Sequence, residues 1–580
     1  MHLPACSGDG VGMYLRTTQR RNRDGSVVRY VQVAHNRRVE GTTQAQVLVN
    51  LGREDGLDVD GLRRLVGSIN RYLGEPDAGR GDVVEVAGDG LTVVESRPAG
   101  TAWLLDGLWR QLGVDAALAK VLGRRRFSTD VERVLFALVA NRAIDPMSKL
   151  ATAEWASHDV ALPDLEVMDE DQAYRAMDLL VAADAQAEVQ EAVFFTVADL
   201  LNLEVDLLFF DTTSTYFERD SEDHDGEGGG FRRFGHSKDH RPDLPQIVIG
   251  LAVTREGIPV RVWCWPGNTN DQAILPEVKD GLRGWRLGRV VTVVDRGFSS
   301  DANLAYLRRA GGHWIAGERM RDGSADAAEA LSRQGRYQAV RDNLRVKEVR
   351  LDRTPDRRWI VCHNPDEATR DKAQRDAAVA RLEAELAAIK AARARDAARA
   401  RKTRRKISDD AHRRAECALR DHPTLGRYLR QTPTGRLQIN RAAIRAEERL
   451  DGKYLLSTSD PDLTAEDVAL GYKNLLEAER GFRDLKSTLE LRPVFHRLEP
   501  RIRAHVLLCW LALLLIRVAE RRCGTTWRRI ATEVGRVHAV TLTGSAGTVI
   551  QTTPPSDTAA SFLAACGIDP LPRITHLHPA

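Results

Sequence analysis

The chain has 580 residues, with 85 Lys+Arg against 82 Asp+Glu, 43% hydrophobic side chains and 7 Cys. That composition excludes a disordered chain, a collagen and a disulfide scaffold, and at roughly 100 to 200 residues per domain it predicts about three to five units. A formal net charge of +3 identifies no partner, so the question passes to where the basic residues cluster.

Residues 1–56 read as a small basic β module, in which alternating runs (VVRYVQVAH, QAQVLVNLG) flank the hairpin signal Arg23-Asp24-Gly25-Ser26. Eight Lys/Arg face three Asp/Glu across residues 1–53, which suits a polyphosphate partner as well as it suits a solvated face. From 57 to 203 the apolar spacing becomes i, i+3, i+4 (GLRRLVGSINRYL, TAWLLDGLWRQLG, VERVLFALVANRAI), predicting a helical region. Residues 204–317 hold five compact β-rich runs, VDLLFF, IVIGLAV, PVRVWCW, RVVTVVD and HWIAG. Helical stretches at Gln272 to Trp285 and Asp301 to Ala310 give the order β-β-β-α-β-α-β of a mixed α/β sheet.

After Gly317 the sheet signal stops, and residues 318–462 read as an insertion. It carries short β-like runs and a long Ala/Arg/Glu-rich helix from Asp366 to about Arg405 whose C-terminal half is basic. Charge alone leaves a solvated face and a helix laid along phosphates equally open. Helical patterning resumes over 463–535, and 536–580 read as a polar tail. The apolar run Val506 to Ile516 is shorter than the roughly 20 residues that cross a bilayer and predicts a buried core helix with no membrane partner. The cysteines are odd in number and never form Cys-x-x-Cys, which points to a reducing compartment without structural zinc. With no signal segment at the N-terminus, the expected location is cytoplasmic.

Three carboxylates carry the chemistry. Asp211 follows LLFF directly, so it is expected to emerge at the end of a buried strand beside Thr212, Thr213 and Ser214. Asp295 repeats the arrangement in VVTVVDRGFSS, with Arg296-Gly297 for a tight turn, and strand ends are where α/β sheets present ligands. The competing reading for each alone is a turn or cap Asp. In GYKNLLEAERGFRDLKSTLELRPVFH the period is helical, and Tyr472, Glu479 and Lys486 recur every seven residues, so they are expected to project from nearly one side. Glu477 and Asp484 are the ordinary surface alternatives to Glu479. The Gly-rich stretch 224–241 lacks the Gly-Lys-Ser/Thr of a phosphate loop and reads as a mobile loop near Asp211, with Arg232, Arg233, Lys238 and Arg241 as its candidate contacts to a polyphosphate partner. Its histidines suit ordinary polar roles better than zinc, while His505, Cys509 and Trp314 are expected in the core.

These residues resemble a bacterial insertion-sequence transposase of the DDE type, in the superfamily whose third-carboxylate helix reads Y-x2-R-x3-E-x6-K. The matches are Tyr472, Glu479 and Lys486 at the required spacings, DTT at 211–213, DRGF at 295–298, GHSKDHRPDLPQIVIGL, and PGNTND at 266–271. The Arg position of the signature is Leu475, so its role at the transposon end falls to Arg480, to Arg483 or to no residue. The resemblance implies an RNase H-like core, interrupted by a largely β insertion, in which Asp211, Asp295 and Glu479 bind two Mg²⁺, with Mn²⁺ as a substitute. It also implies that the helical N-terminal region binds DNA ends and that Tyr472 and Lys486 meet phosphates. A homodimer would act on double-stranded terminal inverted repeats and target DNA, cleaving and transferring strands. The alternative is a catalytically inactive DNA-binding repressor derived from a transposase. A plain ribonuclease H or resolvase-like nuclease would need neither the N-terminal modules nor the insertion.

Overall fold

The computed structural model describes residues 13–21, 27–39, 42–53, 91–123, 130–182, 186–203, 205–224, 230–283, 285, 287, 290–321, 324–404 and 408–579. The turn at 23–26 and the helical run at 61–73 lie outside the described residues. The chain divides into two units, residues 1–96 with 540–551 and 576–580, and residues 97–539 with 552–575.

In the first unit β1 (Met13–Arg21), β2 (Val27–Val39) and β3 (Thr42–Arg53) form an antiparallel sheet in the order β1-β2-β3. Strand β4 (Thr92–Pro98) belongs to a separate sheet. The second unit opens with helices α1 (Gly100–Gln111), α2 (Val114–Leu122), α3 (Val131–Ile144), α4 (Lys149–His158), α5 (Glu170–Ala182) and α6 (Gln186–Leu200). Side chains set their starts: Asp130 accepts from the backbone N–H of Glu132 and Arg133, and Ser148 from that of Ala151.

The sheet follows as β5 (Leu207–Tyr216), β6 (Gln246–Thr254), β7 (Pro259–Pro266), α7 (Asp271–Gly281), β8 (Val291–Val294), α8 (Asp301–Leu307) and β9 (His313–Glu318). This is the element order expected from the sequence. The chain continues through α9 (Ala325–Ser332), β10 (Gln338–Arg341), β11 (Leu344–Arg350), β12 (Arg358–His363), α10 (Pro365–Thr403), α11 (Asp410–Arg420), β13 (Leu429–Gln431), β14 (Leu437–Ile439), α12 (Arg441–Glu448) and β15 (Lys453–Thr458).

The sheet does not stop at Gly317. Strand β15 pairs antiparallel with β9, Thr458 opposite Ile315, and one nine-stranded sheet runs β10-β11-β12-β15-β9-β8-β5-β6-β7. Only the β5–β8 and β8–β9 pairs are parallel. The true excursion is therefore narrower than 318–462: His363 pairs with Lys453, and the Asn364 N–H donates to the Gly452 carbonyl at 2.7 Å, so the chain leaves and re-enters at one point.

The remaining elements are α13 (Ala465–Lys473), α14 (Leu476–Ser487), α15 (Glu499–Cys523), α16 (Trp527–Val534), β16 (His538–Gly544), β17 (Gly547–Thr552), α17 (Asp557–Ala565) and β18 (Ile574–Pro579). Residues 536–579 are thus folded rather than a tail: β16 and β17, rich in Thr, Val, Ile and Leu, form a hairpin within the sheet β18-β17-β16-β4, and α17 buries Ala559, Phe562 and Leu563. By length and composition α15, at 25 residues, reaches what a membrane span requires, yet it is buried from Ala504 to Ala519. A helix apolar all round suits a site enclosed by protein. His505, Cys509 and Trp314 are buried, as expected.

Alternation along the central strands fixes the two faces of the sheet. Leu208, Phe210, Val294, Trp314 and Ala316 share a core with residues of α6, α7 and α8. Leu207, Phe209, Val291, Val293 and Ile315 join the larger core, which includes Val468, Leu475, Ala478, Phe482 and Leu485 of the α13–α14 segment and most of α15.

Candidate active site

Strand β5 runs parallel to β8, with Phe210 opposite Val294 at the last shared position. The next residue on each strand is an aspartate, so the register sets Asp211 and Asp295 side by side. Both continue the series of Leu207, Phe209, Val291 and Val293 and face α13 and α14. Asp295 stands at a strand end, as expected; the chain turns there, with the Phe298 N–H donating to the Asp295 carbonyl. Asp211 does not. Strand β5 continues to Tyr216 because Thr212, Thr213 and Thr215 are β-branched and β6 still pairs with them. Beside Asp211 the partner strand β8 has already ended at Val294.

Burial pushes the Asp211 carboxyl up to about 6. Lys238 and the Thr212 N–H pull it down, and the charges of Asp295 and Asp271 push it further up. The Thr212 N–H donates to Asp211 Oδ1 at 2.7 Å. On the opposite face Lys238 Nζ donates to the Thr212 carbonyl at 2.8 Å and pairs with Asp271 at 3.1 Å, while the Thr212 hydroxyl donates to Asp271 at 2.9 Å. The Lys238 N–H donates to Ser214 Oγ at 2.8 Å. The GHSK and PGNTND blocks therefore meet behind Asp211, and Asn270 caps α7 so that Asp271 occupies its first turn.

The third-carboxylate segment is two helices rather than one. Between α13 and α14 the bonds Leu475 N–H to Tyr472 O, Glu477 N–H to Asn474 O and Ala478 N–H to Leu475 O each span three residues, a tighter turn that changes the expected angle between Tyr472 and Glu479. Both helices lie close on the sheet at glycines: a Cβ at Gly471 would stand 3.0 Å from Leu207, and one at Gly481 would stand 2.8 Å from Leu251. The Tyr472 hydroxyl donates to Asp295 Oδ1 at 2.8 Å. Burial, then Asp295, raise its pKa strongly, so the phenol keeps its proton. This contact requires Gly317, where a Cβ would overlap the Tyr472 oxygen.

Asp295, Tyr472 and the exposed Glu479 line one open cleft of about 680 Å³, together with Arg296, Arg319, Arg321 and Lys473. The three carboxylates thus share a face of the sheet. Among the described residues no three Asp, Glu, His or Cys side chains stand together closely enough to hold a metal ion. Leu475 lines the cleft at the place of the signature arginine. Its expected substitutes stand elsewhere: Arg480 leans toward Glu477 at 3.9 Å and Glu520 at 3.6 Å, and Arg483 is exposed outside the cleft. The cations of the cleft are instead Arg296, Arg319, Arg321 and Lys473, none of which the sequence singled out as a DNA contact.

Lys486 turns inward. Its ammonium donates to Thr213 at 2.6 Å and to Asp239 at 2.8 Å, and Arg492 closes on the same carboxylate at 2.8 Å. Burial lowers the Lys486 pKa, and Asp239 opposes that shift. Because Thr213 follows Asp211 on the same side of β5, Lys486 braces the strand below the carboxylate. Arg241 pairs with Asp243 at 2.9 Å and lies over the Tyr216 ring at 5.2 Å.

Residues 207–515, more than half of the chain, match the family described as Transposase DDE domain, and residues 15–80 match the IS1634 family transposase, N-terminal domain. No curated protein matches the chain. Among solved structures it is similar to the piggyBac transposase synaptic complex with hairpin DNA, with 9% identity and a TM-score of 0.33 over 74% of this chain and 76% of that one.

Proposed function

Since the chain belongs to the DDE transposases, with an N-terminal domain of the IS1634 family, we propose that it binds the terminal inverted repeats of an insertion sequence, cuts the DNA there and joins the freed ends to target DNA. The observation that carries this reading is the pairing of Asp211 and Asp295 at one level of two parallel strands, with Glu479 on the wall of the cleft that Asp295 lines. Asp211, Asp295 and Glu479 offer only hard oxygen donors, which suits Mg²⁺ or Mn²⁺, and the repulsion between the two aspartates is of the kind a divalent cation relieves. Two bound ions would supply activation of the attacking oxygen and stabilisation of the leaving one.

The chain's own residues do the positioning. Tyr472 fixes the rotamer of Asp295, Lys238 and Asp271 pin the β5 backbone beside Asp211, and Arg296, Arg319 and Lys473 are placed to take the phosphates flanking the scissile bond. In this reading the central strands are an RNase H-like core. A water oxygen attacks phosphorus and gives up a proton as the 3′ oxygen leaves and takes one up; that 3′ hydroxyl then loses its proton and attacks a target phosphodiester, whose own 3′ oxygen leaves as a hydroxyl, in a homodimer holding paired ends.

Incubating purified protein with labelled terminal-repeat duplex and Mg²⁺ tests this. Wild type is expected to nick at the end, and Asp211→Asn, Asp295→Asn and Glu479→Gln are expected to retain the duplex without nicking it. Wild-type nicking by any of the three would overturn the site. Retention without nicking by wild type itself would favour the repressor reading, which the departure at Leu475 and the unconverged carboxylates support.

A further inference from the structure

The excursion between Asn364 and Gly452 is an arm with its own small core, Leu382, Leu419, Leu425 and Tyr428, and its charges are sorted along α10. In the N-terminal half cations and carboxylates pair: Arg370 with Glu367 at 3.0 Å, Lys372 with Asp376 at 2.6 Å, Arg381 with Glu385 at 2.8 Å, and Glu383 with Arg441 at 2.9 Å. In the C-terminal half the acids turn inward. Arg393 is held by Asp409 at 2.7 Å and Glu416 at 3.0 Å, and Asp396 by His412 at 3.1 Å. Lys390, Arg395, Arg399, Arg401, Lys402 and Arg404 remain on the surface, all exposed.

Their placement is ordered. At 3.6 residues per turn the side of α10 away from Arg393 and Asp396 is a ridge of exposed alanines, Ala391, Ala394 and Ala398. Arg395, Arg399 and Lys402 run along one flank of that ridge, at i, i+4 and i+7, and Lys390 and Arg401 along the other. The ridge lets a partner approach the helix closely while cations reach out on both sides. From Lys390 to Lys402 it extends about 18 Å, the rise of about five base pairs. Like charges at i, i+4 weaken a helix, and the N-terminal half of α10 shows how interleaved carboxylates would have avoided that. A polyanion supplies the missing counter-charge.

We propose that this outer face of α10 is a second DNA-contacting surface, remote in sequence from the cleft, which grips duplex phosphates without reading bases. The identity of the polyanion as DNA rests on the transposase reading. Alanine methyls and a few long cations offer the contacts that position a duplex and few that specify one.

The test uses full-length protein and a 30-base-pair duplex unrelated to any terminal repeat, with affinity followed against KCl. The triple variant Arg395→Gln, Arg399→Gln and Lys402→Gln should bind at least tenfold more weakly at about 0.1 M salt, and its slope of log K against log salt should shrink by about 0.9 for each phosphate no longer neutralised. A second variant separates DNA contact from helix integrity. Ala391→Glu with Ala398→Glu places each glutamate four residues before a cation, which steadies the helix, yet sets negative charge against the phosphates; it should melt no lower than wild type and still lose affinity. Wild-type affinity and slope in both variants would overturn the proposal. Should wild type never nick terminal repeats while these losses occur, the catalytic reading fails and the arm stands; nicking with an unaltered salt slope means that the arm fails and the catalytic reading stands.

Discussion

Asp211 contributes a pH response whose sign follows from one side chain. Its carboxyl has an ordinary value of 3.8 and stands at about 6 in the fold, chiefly through burial. Between those values the folded chain binds the proton more tightly than the unfolded one, so the contribution of this group to stability is complete below about 3.8 and is lost as pH rises through 6. The loss is on the order of 3 kcal/mol. Asp211→Asn should therefore raise the melting temperature in cation-free buffer above pH 7 and give no gain near pH 3.5, as calorimetry would show. A gain that is equal at both pH values would place the cost elsewhere. In wild type, divalent-dependent nicking should fall as pH drops through about 6, because the proton competes for the same oxygens. A neighbouring prediction concerns Gly317, whose missing side chain makes room for Tyr472. Gly317→Ala should cost about 1–3 kcal/mol in urea unfolding, as overpacking does, and less in a Tyr472→Phe background, where the hydroxyl that a Cβ would meet is gone. Equal costs in both backgrounds would break the link. That Asp211 and Asp295 stand at one level of the sheet was legible from their positions after apolar runs. Gly317 was not, because its role is set by a phenol 155 positions away in the chain.

Among the elements, those defined by local pattern were legible and those defined by distant packing were not. The run VLLCWLALLLI announced the buried part of α15, and the helix extends beyond it at both ends because amphipathic turns continue the period. Leu514 is fully buried near its middle. Leu514→Ala should destabilise the second unit by about 2–5 kcal/mol in urea unfolding, the range for an aliphatic cavity in a core that cannot collapse; a change below about 1 kcal/mol would mean that the neighbouring elements close over the gap. The segment from Ala465 to Ser487 shows the limit of such reading. Its seven-residue recurrence is real, but the three-residue hydrogen bonds around Leu475 are chosen by the core that takes in the Leu475 side chain, and no periodicity reports that choice. Lys486 differed for the same reason: its partners Thr213 and Asp239 lie on other elements, so a position read as facing DNA serves as a brace.

At the scale of the whole molecule, the feature least visible in the sequence is that one sheet is completed by strands on both sides of an 87-residue excursion. Strand β15 reads as a short apolar run among many, and only its pairing with β9 and β12 shows that it belongs to the sheet. This topology makes the arm separable. His363 lies opposite Lys453, and the Asn364 N–H meets the Gly452 carbonyl, so replacing residues 365–451 by a two-residue turn would leave an ordinary antiparallel hairpin within the sheet. The interactions this removes are mostly internal to the arm, including its four-residue core and the ion pair of Arg375 with Asp451. The shortened chain should thus unfold cooperatively at a urea midpoint close to wild type. Among the described residues an ion pair crosses the cut: Arg321, on the wall of the cleft, is held by Glu447 of α12 at 2.8 Å. Released from that carboxylate, Arg321 adds a free cation beside Asp295 and Glu479. Nicking of terminal repeats by the shortened protein should therefore persist with a steeper salt dependence at the cleft, even as affinity for unrelated duplex falls. Loss of cooperative unfolding would show instead that the arm is part of the sheet's support.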